Sequence, residues 1–255
     1  MRRLRFEGTR QRLRTGAGFW LWLDPNDLVG RHVYYTGRAL SHDVVEVLQR
    51  FMKPGDRILD IGANVGYVSC ALLKHDETCR VVSVEPQPAV FELLRENLRC
   101  FGDRGEAVQA AISDHSGVGV LELSNNSGRS HLVARDESTQ SARTVQVSLF
   151  TAPQLLERIG LRTVNLIKID VEGHEEAVLR SLAPVLSVHR PRAVVFEHYG
   201  DPTTAGSPIK KIFDSIDYRI LAVRRGLFRW RLMDAAAVLR SGRRVRDFVG
   251  VPNQQ

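Results

Sequence analysis

The sequence predicts an α/β fold: an open, mostly parallel, seven-stranded sheet with helices on both faces. Three observations carry the prediction. Short apolar runs bounded by turn residues alternate along the chain with segments of helical period. The stretch Arg57–Gly66 reads as a buried strand that stops at Asp60-Ile61 and turns through Gly62 and Gly66 into a helix. A second short strand, Val81–Val84, ends in an acid, Glu85.

The elements follow in order. Trp20–Leu23 and His32–Tyr35 read as short strands around the turn Asp24-Pro25-Asn26-Asp27. Ser41 opens a helix to Phe51, with Val44, Val45, Val47, Leu48 and Phe51 as its apolar stripe. Lys53-Pro54-Gly55-Asp56 turns the chain into the first core strand, and a helix runs from Gly66 to His75. Pro86 and Pro88 open the next helix, on which Val90, Phe91, Leu93, Leu94 and Leu98 recur at helical spacing. Val108–Ile112 is the third strand, closing at Ser113-Asp114. Val118–Leu123 and Thr144–Leu149 alternate as strands around a polar segment, Ser124–Ser130. A helix over Ala152–Ile159 leads to strand Val164–Asp170, and a further helix covers His174–Leu182. Ala193–Phe196 is the fifth strand, Pro208–Ile216 a last helix, and Tyr218–Val223 with Leu227–Leu232 a closing hairpin turned at Arg225-Gly226. These elements divide the chain into N-terminal strands and a helix packed on the core (1–52), a core domain (53–235) and a basic C-terminal tail (236–255).

A chain of 255 residues, 43% hydrophobic and 25% charged, can bury a core without staples. Cys70, Cys79 and Cys100 have no metal-site spacing, and an odd count with no signal peptide points to a reducing cytoplasm. The apolar run Phe19–Leu23 is too short to span a bilayer. The net charge is +7, and nearly all of it is arginine; the lysines are Lys53, Lys74, Lys168, Lys210 and Lys211. Arginines cluster at both ends: Arg2, Arg3, Arg5, Arg10, Arg12 and Arg14, then Arg224, Arg225, Arg229, Arg231, Arg240, Arg243, Arg244 and Arg246. These read as solvated ends, with a nucleic-acid or membrane-surface patch as the alternative.

The glycine turn has the form Asp60-x-Gly62-x-x-x-Gly66, with Ala63 and Asn64 between the glycines. It lacks the central glycine that bares backbone amides to a pyrophosphate. An acid before the turn repels phosphate and suits a ligand with a cationic amino group. Glu85, 25 positions after Asp60, is placed to accept both ribose hydroxyls of a nucleoside. The ligand that fits is S-adenosylmethionine. Its expected contacts are Asp60, Gly62, Ala63, Asn64, Gly66, Glu85, Pro86, Ser113, Asp114 and Asp170, with Asp114 accepting from the adenine amino group. The densest cluster of acids is Asp170-Val171-Glu172-Gly173-His174-Glu175, where Asp170, Glu172 and His174 are candidate catalytic groups able to take a proton from an acceptor hydroxyl. Helix capping is the ordinary alternative for these acids. Asp170, Glu197 and His198 also form a conceivable oxygen-rich cation site, though no resident metal is expected.

These residues resemble the FkbM family of S-adenosylmethionine-dependent methyltransferases. The resemblance runs from about Gly30 to Tyr199. It rests on Lys53–Asp56 leading into Leu59–Gly66, on Val84-Glu85-Pro86, Ala111–Asp114 and Ser127–Ser130, and most specifically on Ile167–Glu175. It implies a class I methyltransferase (Rossmann-like) fold and methyl transfer to a hydroxyl of a small molecule: a sugar, a glycan or a polyketide-type secondary metabolite. Where the family usually has Leu-Asp, this chain has Phe150-Thr151. An RNA methyltransferase is the first alternative, motivated by the charge. Against it, the sequence holds neither an Asn-Pro-Pro-Tyr motif nor a Pro-Cys nucleophile, and its arginines do not interleave with aromatics. A non-catalytic cofactor-binding partner protein is the second; the intact Asp60, Glu85 and Asp170 argue against it.

Overall fold

A computed structural model describes residues 10–124, 130–133, 143–225 and 230–253. The chain opens with the antiparallel pair β1 (Gln11–Arg14) and β2 (Trp20–Leu23), followed by α1 (Leu28–Thr36) and α2 (His42–Phe51). The core then reads β3 (Arg57–Ile61), α3 (Tyr67–His75), β4 (Arg80–Val84), α4 (Pro88–Leu98) and β5 (Gly105–Val108). An excursion follows: β6 (Ala111–Ile112), β7 (Gly117–Glu122), β8 (His131–Val133) and β9 (Thr144–Phe150). The second half comprises α5 (Ala152–Arg158), β10 (Leu166–Ile169), α6 (Glu175–His189), β11 (Ala193–Glu197) and α7 (Pro208–Ser215). The chain closes with β12 (Tyr218–Arg225), β13 (Trp230–Asp234), α8 (Ala235–Arg240) and β14 (Asp247–Pro252).

The main sheet has eight strands rather than seven, in the order β13-β12-β14-β11-β10-β3-β4-β5. Strands β11, β10, β3, β4 and β5 are parallel; β14, β12 and β13 join antiparallel. From β3 the chain winds outward to β5, then returns to β10 on the other side of β3. That reversal opens a crevice at the carboxyl ends of β3 and β10. Two cores sandwich the sheet. Alternate residues of β3 and β10 supply both: Ile58 and Leu166 face α2, α3 and α4, while Leu59, Ile61, Ile167 and Ile169 face α5, α6 and α7. The two-stranded unit β1-β2 packs on the first core through Leu21 and Leu23, and Asn97 of α4 bonds the Trp22 backbone on both sides.

The structure departs from the sequence expectation in four further places. His32–Tyr35 is helical, not a strand. The Asp27 carboxylate caps α1 by accepting from Val29 N and Gly30 N at 2.9 and 3.2 Å, and Gly37, at φ 69°, ends it. Local capping overrides the strand preference of Val33, Tyr34 and Tyr35. The expected third strand splits: β5 is the sheet edge, and beyond Val108 the chain leaves it so that Ala111-Ile112 pairs with Leu149-Phe150. The helix begun at His174 continues to His189, through Pro184. Of the closing hairpin, β12 and β13 pair antiparallel, but the turn at Gly226 lies outside the described residues.

The fourth departure matters most. The basic segment 236–255 does not trail: Asp247–Pro252 is an interior strand of the sheet, inserted between β11 and β12. Phe248 and Val249 are buried and point to opposite cores. The Phe248 ring stacks on Phe196, which stacks on Phe213, with centroids 5.7 and 5.6 Å apart. Gly250 admits the Phe213 ring, since a Cβ there would lie 2.3 Å from it. The arginine run just before it masks this apolar strand in the sequence. Phe248→Ala is expected to lower the unfolding free energy by about 3–5 kcal/mol in chemical denaturation; a change near zero would fit a loose tail.

Candidate active site

The glycine turn leaving β3 is shaped by its neighbours. Gly62, at φ 74°, passes the Asp170 carbonyl so closely that a Cβ would lie 1.8 Å from that oxygen. Gly62 N and Ala63 N donate to Val84 O at 2.9 and 3.0 Å. Asn64 has φ 50° and donates its backbone N–H to Glu85 Oε2 at 2.9 Å, while Gln87 N donates to Oε1 at 2.9 Å. Gly66, at φ 83°, begins α3. Asn97 Nδ2 donates to Val65 O at 2.8 Å, so α4 also holds the turn. Burial pushes the Glu85 carboxyl up to about 7, against the lowering effect of its two backbone donors.

Asp60 is fully buried beneath this turn. Register places Ser83 of β4 and Lys168 of β10 on either side of it. Ser69 Oγ donates to Asp60 Oδ2 at 2.6 Å and lies 2.7 Å from Ser83 Oγ. Lys168 Nζ forms an ion pair with Asp60 Oδ1 at 3.1 Å, donates to Gly62 O at 2.6 Å and lies 3.7 Å from Asp170 Oδ2. Burial pulls the Lys168 ammonium down, but the charges of Asp60, Asp170 and Glu85 outweigh it, and Lys168 stays above the usual lysine value. One buried cation thus joins strand, turn and acid cluster.

Above it opens a cavity of about 890 Å³ at the carboxyl ends of the strands. Of the residues expected from sequence, Gly62, Ala63, Asn64, Glu85, Pro86, Asp170, Glu172 and His174 line it. Asp60, Gly66, Ser113 and Asp114 do not. Asp60 faces Ser69 and Lys168 instead of a ligand, because strand alternation turns its side chain toward α3. Ser113 is buried, with Oγ 3.0 Å from His174 Nε2, and so orients that ring. Asp114 is engaged by His115 and by Arg180 of α6, which hold its carboxyl below the usual range, and it faces a separate recess.

The acids beyond β10 form a tight group. Glu172, at φ 50°, and Gly173, at φ 98°, bend the chain so that Asp170, Glu172 and Glu197 each offer an oxygen within 4.8 Å of the others. Glu172, not His198, completes the oxygen-rich trio weighed from sequence, and such a donor set suits a hard divalent cation. Burial, then Asp170, Asp247 and Glu172, push the Glu197 carboxyl up to about 7. Burial lowers the His174 imidazole, which favours its neutral form.

Sequence reasoning missed Lys168, although a lone lysine inside the apolar strand Leu166–Ile169 is a readable signal of a buried partner. It also missed Tyr67, whose hydroxyl lies 3.2 Å from His42 Nδ1 on the cavity wall, and Arg224, Arg243, Arg244 and Arg246, which line the same cavity.

This architecture, a parallel sheet with a reversal beside β3 and an antiparallel flank, is the class I methyltransferase fold. A solved FkbM methyltransferase from Methylobacillus flagellatus aligns at TM-score 0.52 and 16% identity, over 81% of this chain and 50% of that one. The family model for the methyltransferase FkbM domain matches residues 60–225, and the chain belongs to that family. Among curated relatives, the hexuronic acid methyltransferase AglP of Haloferax volcanii is 26% identical over 57% of this chain and 58% of its own length. The 31-O-demethyl-FK506 methyltransferase FkbM of Streptomyces tacrolimicus is 30% identical over 50% of this chain and 60% of its own length. The chain thus spans less than two thirds of the length of these relatives. Among the described residues, no helix is long and apolar enough to cross a membrane.

Removing one partner of the Asp60–Lys168 pair strands a buried charge. Lys168→Met is expected to lower stability by about 3–5 kcal/mol, and Asp60→Leu combined with Lys168→Met to recover much of that loss. Urea denaturation of the two single variants and the double variant measures it. Strictly additive losses would contradict the pairing.

Proposed function

We propose that this protein is an S-adenosylmethionine-dependent O-methyltransferase acting on a hydroxyl of a small molecule of the sugar, glycan or polyketide type. The observation that carries the reading is one cavity with two chemically distinct ends. Gly62–Asn64, Glu85 and Pro86 stand at one end, and Asp170, Glu172, His174 and Glu197 at the other. The first end fits the cofactor. Each Glu85 oxygen accepts one backbone N–H and keeps acceptor capacity for a ribose hydroxyl, and Gly62 leaves room for close approach to the backbone. When bound there, S-adenosylmethionine supplies an electrophilic methyl group on a sulfonium.

The second end is suited to raise the nucleophilicity of a hydroxyl. Asp170, 3.7 Å from the Lys168 ammonium, accepts a hydrogen bond from the acceptor. Glu197, with its carboxyl near 7, takes the proton, since a base works best with a pKa near the operating pH. His174, neutral and oriented by Ser113, borders the same space. The name of one relative, a hexuronic acid methyltransferase, supports a sugar-like acceptor, and that of the Streptomyces relative supports a secondary metabolite.

Transfer of labelled methyl from S-adenosylmethionine to a panel of hydroxylated sugars, glycosides and polyketides tests the reading. Glu197→Gln and Asp170→Asn are each expected to reduce kcat by about a hundredfold or more. Undiminished transfer in both variants would remove the carboxylates from the chemistry. Methylation of RNA in place of the panel would reject the acceptor class.

A further inference from the structure

The arginine run that ends at Arg246 takes no part in the chemistry above, yet it lies at the site. Strand β14 runs antiparallel to β11, so its first residue, Asp247, stands opposite Glu197 at the carboxyl end of the sheet. The His198 N–H donates to the Arg246 carbonyl at 2.8 Å, which anchors the approach to that strand. The segment between α8 and β14 is thereby held at the cavity mouth, and Arg243, Arg244 and Arg246 line the cavity together with Arg224 of β12.

Four arginines lining one cavity add up to a positive field unless something negative meets them. Among the described residues, no carboxylate oxygen pairs with any of the four arginines within 4.0 Å, although Asp170, Glu172, Glu197 and Asp247 line the cavity too. Burial first, and then the neighbouring acids Asp170, Asp247 and Glu172, raise the Glu197 carboxyl. Arg246 is held in place by the Tyr199 ring, 4.7 Å beneath its guanidinium carbon, and Arg224 Nη1 lies 3.7 Å from Met233 Sδ. These contacts hold Arg246 and Arg224 without neutralising them. A guanidinium is a planar fork that matches a carboxylate or phosphate in two parallel hydrogen bonds.

We propose that Arg243, Arg244 and Arg246, with Arg224, form an anion-recognition subsite of the acceptor pocket, so that the molecule methylated carries a carboxylate or phosphate group beside its reacting hydroxyl. The proposal rests on the methyl-transfer reading of the same cavity. The anionic group docks on the arginines, and the hydroxyl is presented to Asp170 and Glu197 in the same cavity.

The test is calorimetric titration of the full chain, with and without saturating S-adenosylhomocysteine, using inorganic phosphate, glucuronate and neutral glucose. The subsite predicts binding of phosphate or glucuronate and none of glucose. Stronger glucuronate binding assigns a carboxylate acceptor; stronger phosphate binding assigns a phosphorylated one. Changing Arg243, Arg244 and Arg246 together to Gln should weaken the anion by about tenfold or more. Changing Arg95, Arg99 and Arg162 to Gln removes the same charge away from the cavity and should leave anion binding unchanged. Failure of both anions to bind, or equal weakening in the two triple variants, overturns the proposal. S-adenosylhomocysteine binding in the same samples reports separately on folding and on the methyl-transfer reading: if it is absent in the wild type, that reading fails, while the anion titration still decides the subsite.

Discussion

The buried ion pair between Asp60 and Lys168 is the constraint on which the rest of the site depends. It bridges β3 and β10, the two strands between which the winding of the sheet reverses. A single ammonium meets three demands: it compensates Asp60 in the interior, holds the Gly62 carbonyl and so the glycine turn, and reaches to 3.7 Å from Asp170 at the cavity edge. Dry pairs of this kind contribute little net stability against an apolar replacement, but they tolerate no half-removal. Its value to this fold is geometric. It ties the ligand-facing turn to the acid cluster, so the two ends of the cavity cannot move independently.

Charge separation within the cavity follows from how each element enters it. Strands β4, β10 and β11 run in the same direction and deliver Glu85, Asp170 and Glu197 at their carboxyl ends. Strand β14 runs the other way, so the residues before it, rather than after it, arrive at the same rim; these are the arginines. The antiparallel flank is therefore more than an edge extension, since it brings cations to a rim where parallel strands have placed anions. Glu85 and Glu197, both raised to about 7 by burial first, sit at opposite ends of that field.

Much of this was legible in the sequence, and the parts that were not have identifiable causes. The strand–turn–helix at Arg57–His75, the acid at Glu85 and the bend at Glu172-Gly173 are local signals, in which glycine, acid and apolar run lie within one turn of each other. Asp60 was legible as important but not in its direction: only the pairing register reveals that it faces Lys168 and Ser69 rather than the cavity. Asp114 looked like a ligand-facing acid because Arg180, 66 positions away, is invisible to local reading. The strand at Asp247–Pro252 was hidden by the arginines before it, and its burial depends on Phe196 and Phe213 from distant segments. Helix α1 was misread because strand-forming side chains outweighed a cap whose effect requires the chain to bend at Asp27.

The most direct measurement is calorimetric binding of S-adenosylmethionine to the wild type and to Glu85→Ala, at about pH 6.5 in two buffers of different ionisation enthalpy. On the proposed reading ribose hydroxyls donate to an ionised Glu85, whose carboxyl burial pushes up to about 7. Binding should therefore select the charged form, release a proton and tighten as pH rises through 7. The account predicts micromolar binding with proton release in the wild type and loss of both in Glu85→Ala. Absence of binding by folded wild type, or equal affinity in the variant, would contradict it.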